Sequence, residues 1–90
     1  MSPADSTPVT LGQTTFLQSE PQGQPLFRIE PGIPCQHARE QASEILGCVC
    51  DLMLSGIMDS KPQWLWSAYY FNTLAKALLD DAEKGMPSPL

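Results

Sequence analysis

The sequence predicts a mainly α protein, an antiparallel αα-hairpin preceded by a short β-strand or ribbon. Two long stretches carry apolar residues at alternating steps of three and four, the spacing of one helix face. A short polar link joins them, and short helix–helix links favour antiparallel neighbours. Ninety residues hold one domain, and so small a core is marginal alone. The hairpin is therefore expected to dimerise into a four-helix arrangement.

Residues 1–13 are rich in Pro, Ser and Thr and show no period, so they read as a disordered arm. The single domain spans 14–84, and 85–90 read as a tail. Residues 14–17 form a first short strand. Glu20-Pro21 and Gln22-Gly23 are turn chemistry. Residues 26–30 alternate apolar and polar, which suggests a second strand with Phe27 and Ile29 on one face. A two-stranded ribbon is not stable alone, so it must pack on the helices or pair with a second copy.

Pro31-Gly32-Ile33-Pro34 is a rigid corner, with Pro34 suited to a first helical position. The first helix covers about 34–55. Its stripe is Ala38, Ala42, Ile45, Val49 and Leu52, with Leu46 and Met53 beside it, and Gly56 is its natural stop. The second helix covers about 61–84, at ~1.5 Å per residue roughly 35 Å. Ser60 and Gln63 match a capping box, and Pro62 fits the first turn. Its stripe is Trp64, Ala68, Phe71, Ala75, Leu78 and Ala82, flanked by Leu74 and Leu79. Lys84-Gly85 with Pro87 beyond is a stop signal.

Ten acidic residues against five basic ones give a formal charge of −5. That balance repels phosphate and anionic lipid, so neither direct nucleic-acid binding nor membrane attachment is expected. The first residues show neither a basic nor an apolar signal region, and no apolar run reads as long enough to cross a bilayer. With an odd cysteine count, the expected setting is the reducing cytoplasm.

No catalytic motif or phosphate-binding glycine loop is present, so an enzyme is not expected, and neither cofactor nor metal is expected. Cys48 and Cys50 lie ~200° apart on a helix, which suits no chelate. Cys48 is expected in the core. Cys35 at a helix start is the one thiol with a physical reason to react, which leaves a redox sensor as an alternative. Its expected state is a partly exposed thiol, with His37 facing solvent. Asp80, Asp81 and Glu83 read as a solvated face.

By helical rotation, Leu54 and Met58 lie nearly opposite the first stripe, and Trp66 and Tyr69 nearly opposite the second. With Ile57 and Tyr70 they form an apolar group near the link, the expected partner-binding surface. Ser43, Gly47 and Cys50 put small residues on the outer face of the first helix. With Phe27 and Ile29 they are the expected dimer contacts.

The run LFRIEPGIPCQHAREQASEILGCVCDLML, from Leu26 to Leu54, and the later AYYFNTLAKALLDDA resemble a family of small bacterial proteins known as a domain of unknown function. Glu30-Pro31-Gly32-Ile33-Pro34 and Glu40-Gln41-Ala42-Ser43 carry that likeness. The chain also resembles the small helical quorum-sensing antiactivators of the QslA kind. That resemblance implies a dimer that binds the ligand-binding domain of a LuxR-type transcription factor, of the LasR kind, and blocks its dimerisation and DNA binding. It assigns no residue a role. The alternative is a non-enzymatic interaction or scaffold module with another partner.

Overall fold

The structure, a computed structural model, describes residues 7–20 and 23–87. The order is β1 (Thr15–Gln18), β2 (Pro25–Arg28), α1 (Cys35–Met58) and α2 (Pro62–Gly85). The helices form a hairpin, and the two antiparallel strands form a ribbon beside α2.

The helices meet along a seam of small side chains. Ala38, Ala42, Val49 and Gly56 of α1 and Ala68, Ala75 and Ala82 of α2 are all buried. Small residues let two helices approach closely, but they remove little area from water. The larger members of both stripes therefore sit at the edges of the seam. Ile45, Leu52, Trp64 and Leu78 are only partly buried, and Phe71 is 45 % exposed. The expectation that Phe71 is core fails for this reason.

The link also differs from expectation. α1 passes through Gly56 and ends at Met58. Gly56 serves close packing: a Cβ there would lie 2.8 Å from Leu65 Cδ2 and 3.3 Å from the Lys61 carbonyl. The stop is made by Ser60, at φ 52, together with the Lys61 N–H, which donates to the Gly56 carbonyl at 2.9 Å. That is the left-handed residue and the six-to-one bond that end many helices. Ser60 thus closes α1 and does not cap α2. The N-cap of α2 is Lys61, with no side-chain cap.

The ribbon is longer than its strands. One register holds from Val9↔Pro34 through Thr15↔Arg28 to Gln18↔Pro25. The expected strands shift to 15–18 and 25–28 because Pro31 has no N–H and Gly32, at φ 85, turns the chain there. Thr10 bridges that interruption. Its hydroxyl donates to the Glu30 carbonyl at 2.7 Å and accepts the Ile33 N–H at 3.0 Å. Residues 7–13, expected in a disordered arm, are instead docked, with Thr10 1 % exposed. Residues 1–6 of that arm lie outside the described residues, as do 88–90 of the tail. Gly85, expected in the tail, is the last residue of α2. A Cβ on it would strike the Val9 carbonyl, so the strand segment crosses the helix end where glycine leaves room.

One buried carboxylate locks the ribbon to α2. Asp81 is fully buried. Its Oδ2 accepts the N–H groups of Leu11 and Gly12 at 2.7 and 2.9 Å, and its Oδ1 those of Gln13 and Thr14 at 2.9 and 2.8 Å. Successive backbone N–H groups turned inward form an anion-binding nest. Here Gly12, at φ 75, makes the turn. Burial by itself raises the Asp81 pKa. Hydrogen bonds from the Gly12, Gln13 and Thr14 backbone and from the Thr14 side chain overcome it and hold the group at about 2, below its ordinary 3.8. The expectation that Asp81 belongs to a solvated face is overturned. Asp80 is partly buried and pairs with Lys76 at 2.7 Å, and Glu83 is exposed.

By length and mean hydropathy, α1 meets the requirement for crossing a bilayer, against the expectation that no run is long enough. The same helix carries Arg39, Glu40, Glu44 and Asp51, and it packs on α2 from Ala38 to Gly56.

Candidate protein-binding surface

The ribbon lies against the C-terminal half of α2, around Asn72 to Asp81. Toward the link the hairpin has no cover among the described residues. All six residues of the expected partner surface are exposed there: Leu54 by 59 %, Ile57 by 65 %, Met58 by 73 %, Trp66 by 61 %, Tyr69 by 52 % and Tyr70 by 50 %. Each sits on a helical position that the alanine seam turns outward.

Three of them form a ring cluster. Trp66 meets Tyr69 edge to face at 6.0 Å between centroids, and Tyr69 meets Tyr70 at 5.7 Å. Trp66 lies 6.3 Å from Tyr70. Such pairs hold one another in place, so the aromatic surface is partly preorganised.

A groove opens between the helices, on a different side of α2 from Trp66 and Tyr69. It measures about 560 Å³ and is lined by Ile45, Cys48, Asp51, Leu52, Ser55, Trp64 and Phe71. Stripe residues form most of its walls, because the close seam leaves their outer edges uncovered. Sequence reasoning placed these residues in the core and missed the groove.

The expected dimer contacts divide. Ser43, Gly47 and Cys50 are exposed on the outer face of α1, and a Cβ on Gly47 would meet nothing within 4 Å. Phe27 is 54 % exposed and stacks on Phe16 at 5.4 Å. Ile29 is 4 % exposed. It is buried within its own chain and offers no contact surface, a correction to the sequence reading.

The cysteines exchange their expected places. Cys35 is 3 % exposed, and its Sγ donates to the Ala82 carbonyl at 3.3 Å. The docked N-terminal segment buries it, with the Pro8 carbonyl accepting the Cys35 N–H at 2.9 Å. Cys48 is exposed in the groove, because Val49 takes the seam position. His37 is exposed. Among the described residues no three His, Cys, Asp or Glu side chains gather as metal ligands.

Asp81 is the site residue that the sequence reading missed. It follows Ala77 by four and Leu78 by three, which places it on an otherwise apolar flank. That spacing is the signal. Its backbone partners sit in a stretch with no period.

A family model described as "Protein of unknown function (DUF3077)" matches residues 10–85. No curated protein and no solved structure matches the chain.

Proposed function

We propose that this chain, which belongs to the DUF3077 family, acts as a homodimeric protein-binding inhibitor. Its partner is the ligand-binding domain of a LuxR-type transcription factor of the LasR kind. By occupying that domain it keeps the regulator from dimerising and from binding DNA. The observation that carries the reading is the exposed surface of Trp66, Tyr69 and Tyr70 beside Leu54, Ile57 and Met58.

Trp and Tyr dominate the energy of protein interfaces because they bury large area with few rotors. An inhibitor of this kind needs apolar contact area in place of a regulator's own dimer contact, and it needs no catalytic group. The acidic balance adds that the chain itself does not compete for DNA. The choice of regulator rests on the sequence resemblance, and the surface supports the general mode. The redox-sensor alternative loses support, since Cys35 is covered by residues 7–13.

The experiment is a titration of a LasR-type ligand-binding domain with the wild-type chain and with Trp66→Ala. The expected result is binding by the wild type and at least tenfold weaker binding by the variant, with unchanged helix content. Equal affinity would overturn the assignment of the surface, and no binding by the wild type would overturn the partner.

A further inference from the structure

We propose that the groove between α1 and α2 binds a small organic cation with an apolar body, an alkylammonium or arylalkylammonium ion. This goes beyond the regulator reading and does not rest on it. Trp66 and Tyr69 lie roughly 140–160° of helical rotation from Phe71, so they face another side of α2.

The first argument is size. The groove measures about 560 Å³ and is lined by seven residues. Small-molecule sites span about 300–1,000 Å³, whereas a stable protein interface draws roughly 20–30 residues from each side. The groove is therefore on the scale of a small ligand. Its walls follow from the helical period. Ile45, Cys48, Leu52 and Ser55 step by three, four and three along one flank of α1, and Trp64 and Phe71 stand about two turns apart on α2. The buried seam of Val49, Ala68 and Ala75 holds these flanks together.

The second argument is the chemistry of the walls. Ile45, Cys48, Leu52, Trp64 and Phe71 offer apolar contact to the body of a ligand. The two aromatic rings also attract a cation through their faces, and indole does so most strongly.

The third argument is charge. Asp51 is the one charged residue of the lining, which holds no Lys, Arg or His. It is exposed, and among the described residues Lys76–Asp80 is the only ion pair, so no cation of the chain neutralises it. Glu44 lies seven positions earlier, about 20° away in helical rotation, and extends the negative edge of α1. An anionic head group would meet this carboxylate with no counter-charge. A cationic one completes it, and the Ser55 hydroxyl in the same lining can accept an ammonium N–H.

The test titrates the full chain, at fixed pH and ionic strength, with n-octylammonium and with n-octanesulfonate, an anion of the same chain length. Backbone amide shifts locate the site. The expected result is saturable binding of octylammonium, with the largest shifts at Cys48, Leu52, Trp64 and Phe71, and roughly fivefold weaker binding of the sulfonate. Bound octylammonium is also expected to slow maleimide labelling of Cys48 and to spare Cys50, which lies on the other side of α1. Asp51→Asn is expected to bring the two probes to equal affinity at unchanged helix content. Glu83→Gln, which removes the same charge from an exposed position outside the groove, is expected to leave the preference intact. Equal binding of both probes by the wild type would overturn the proposal, as would shifts centred on Trp66 and Tyr69. A loss with Glu83→Gln as large as that with Asp51→Asn would overturn it too, by reducing the preference to the general acidity of the chain.

Discussion

The Asp81 carboxylate accepts the Thr14 N–H at 2.8 Å across a separation of 67 positions. That contact and its three companions decide where the ribbon sits, because β1 and β2 together bury little of their own. Asp81→Asn keeps the size but turns an amide N–H₂ toward two backbone donors. We expect a loss of about 2–3 kcal/mol, with faster amide exchange at residues 11–14. Thermal unfolding by circular dichroism and exchange by NMR check both parts.

The same group fixes an acid limb of stability. Its folded pKa is about 2 against an ordinary 3.8, so the folded state binds the proton less readily. The stabilisation is complete above about pH 4 and is lost as pH falls toward 2, amounting to about 2 kcal/mol. Denaturant midpoints between pH 5 and pH 2 measure it, and Asp81→Asn is expected to flatten that part of the curve.

Glycines separate the close approaches from the open face. Gly12 sits at φ 75, with the space for a Cβ only 2.8 Å from Pro31, and Gly85 lies under the Val9 carbonyl. Alanine at either position is expected to destabilise by more than 1 kcal/mol. Gly47→Ala is expected to be neutral or to stabilise by up to about 1 kcal/mol, because the site is open. A dimer broken by Gly47→Ala would show that the outer face of α1 is the contact between copies.

Ser60 holds a left-handed conformation at φ 52 to end α1. A side chain there costs about 1–2 kcal/mol, which glycine avoids at some expense in unfolded-chain entropy. Ser60→Gly is therefore expected to raise stability by up to about 1 kcal/mol. Chemical denaturation tests this, and a loss of stability would mean that Ser60 caps α2 after all.

Thiol labelling tests the exchanged cysteines. Cys48 and Cys50 are expected to react with an aromatic disulfide reagent in the folded protein, and Cys35 only at the rate of opening of residues 7–13. Prompt reaction of all three would contradict the docked segment.

The hairpin was readable in the sequence because the stripes at Ala38 to Leu52 and Trp64 to Ala82 repeat the helical period without interruption. The exposed group from Leu54 to Tyr70 followed from the same rotation. What the period does not encode is depth. Alanines at the seam bring the helices close, and that closeness pushes Phe71 and Cys48 outward into the groove. Nor does the period show contacts between distant stretches. The amides of residues 11–14 carry no side-chain signal, so the partner of Asp81, the burial of Cys35 and the docking of Thr10 emerged only with the fold. Gly56 and Gly85 read as stops because glycine often ends helices. Here each makes room for a neighbouring segment.

Light scattering on a sizing column, for the chain alone and then mixed with a LasR-type ligand-binding domain, decides the proposed function most directly. The expected result is a dimer alone and, on mixing, a new species from which the regulator's own dimer is missing. A dimer of this chain that elutes unchanged beside an intact regulator dimer would contradict inhibition by interface blockade.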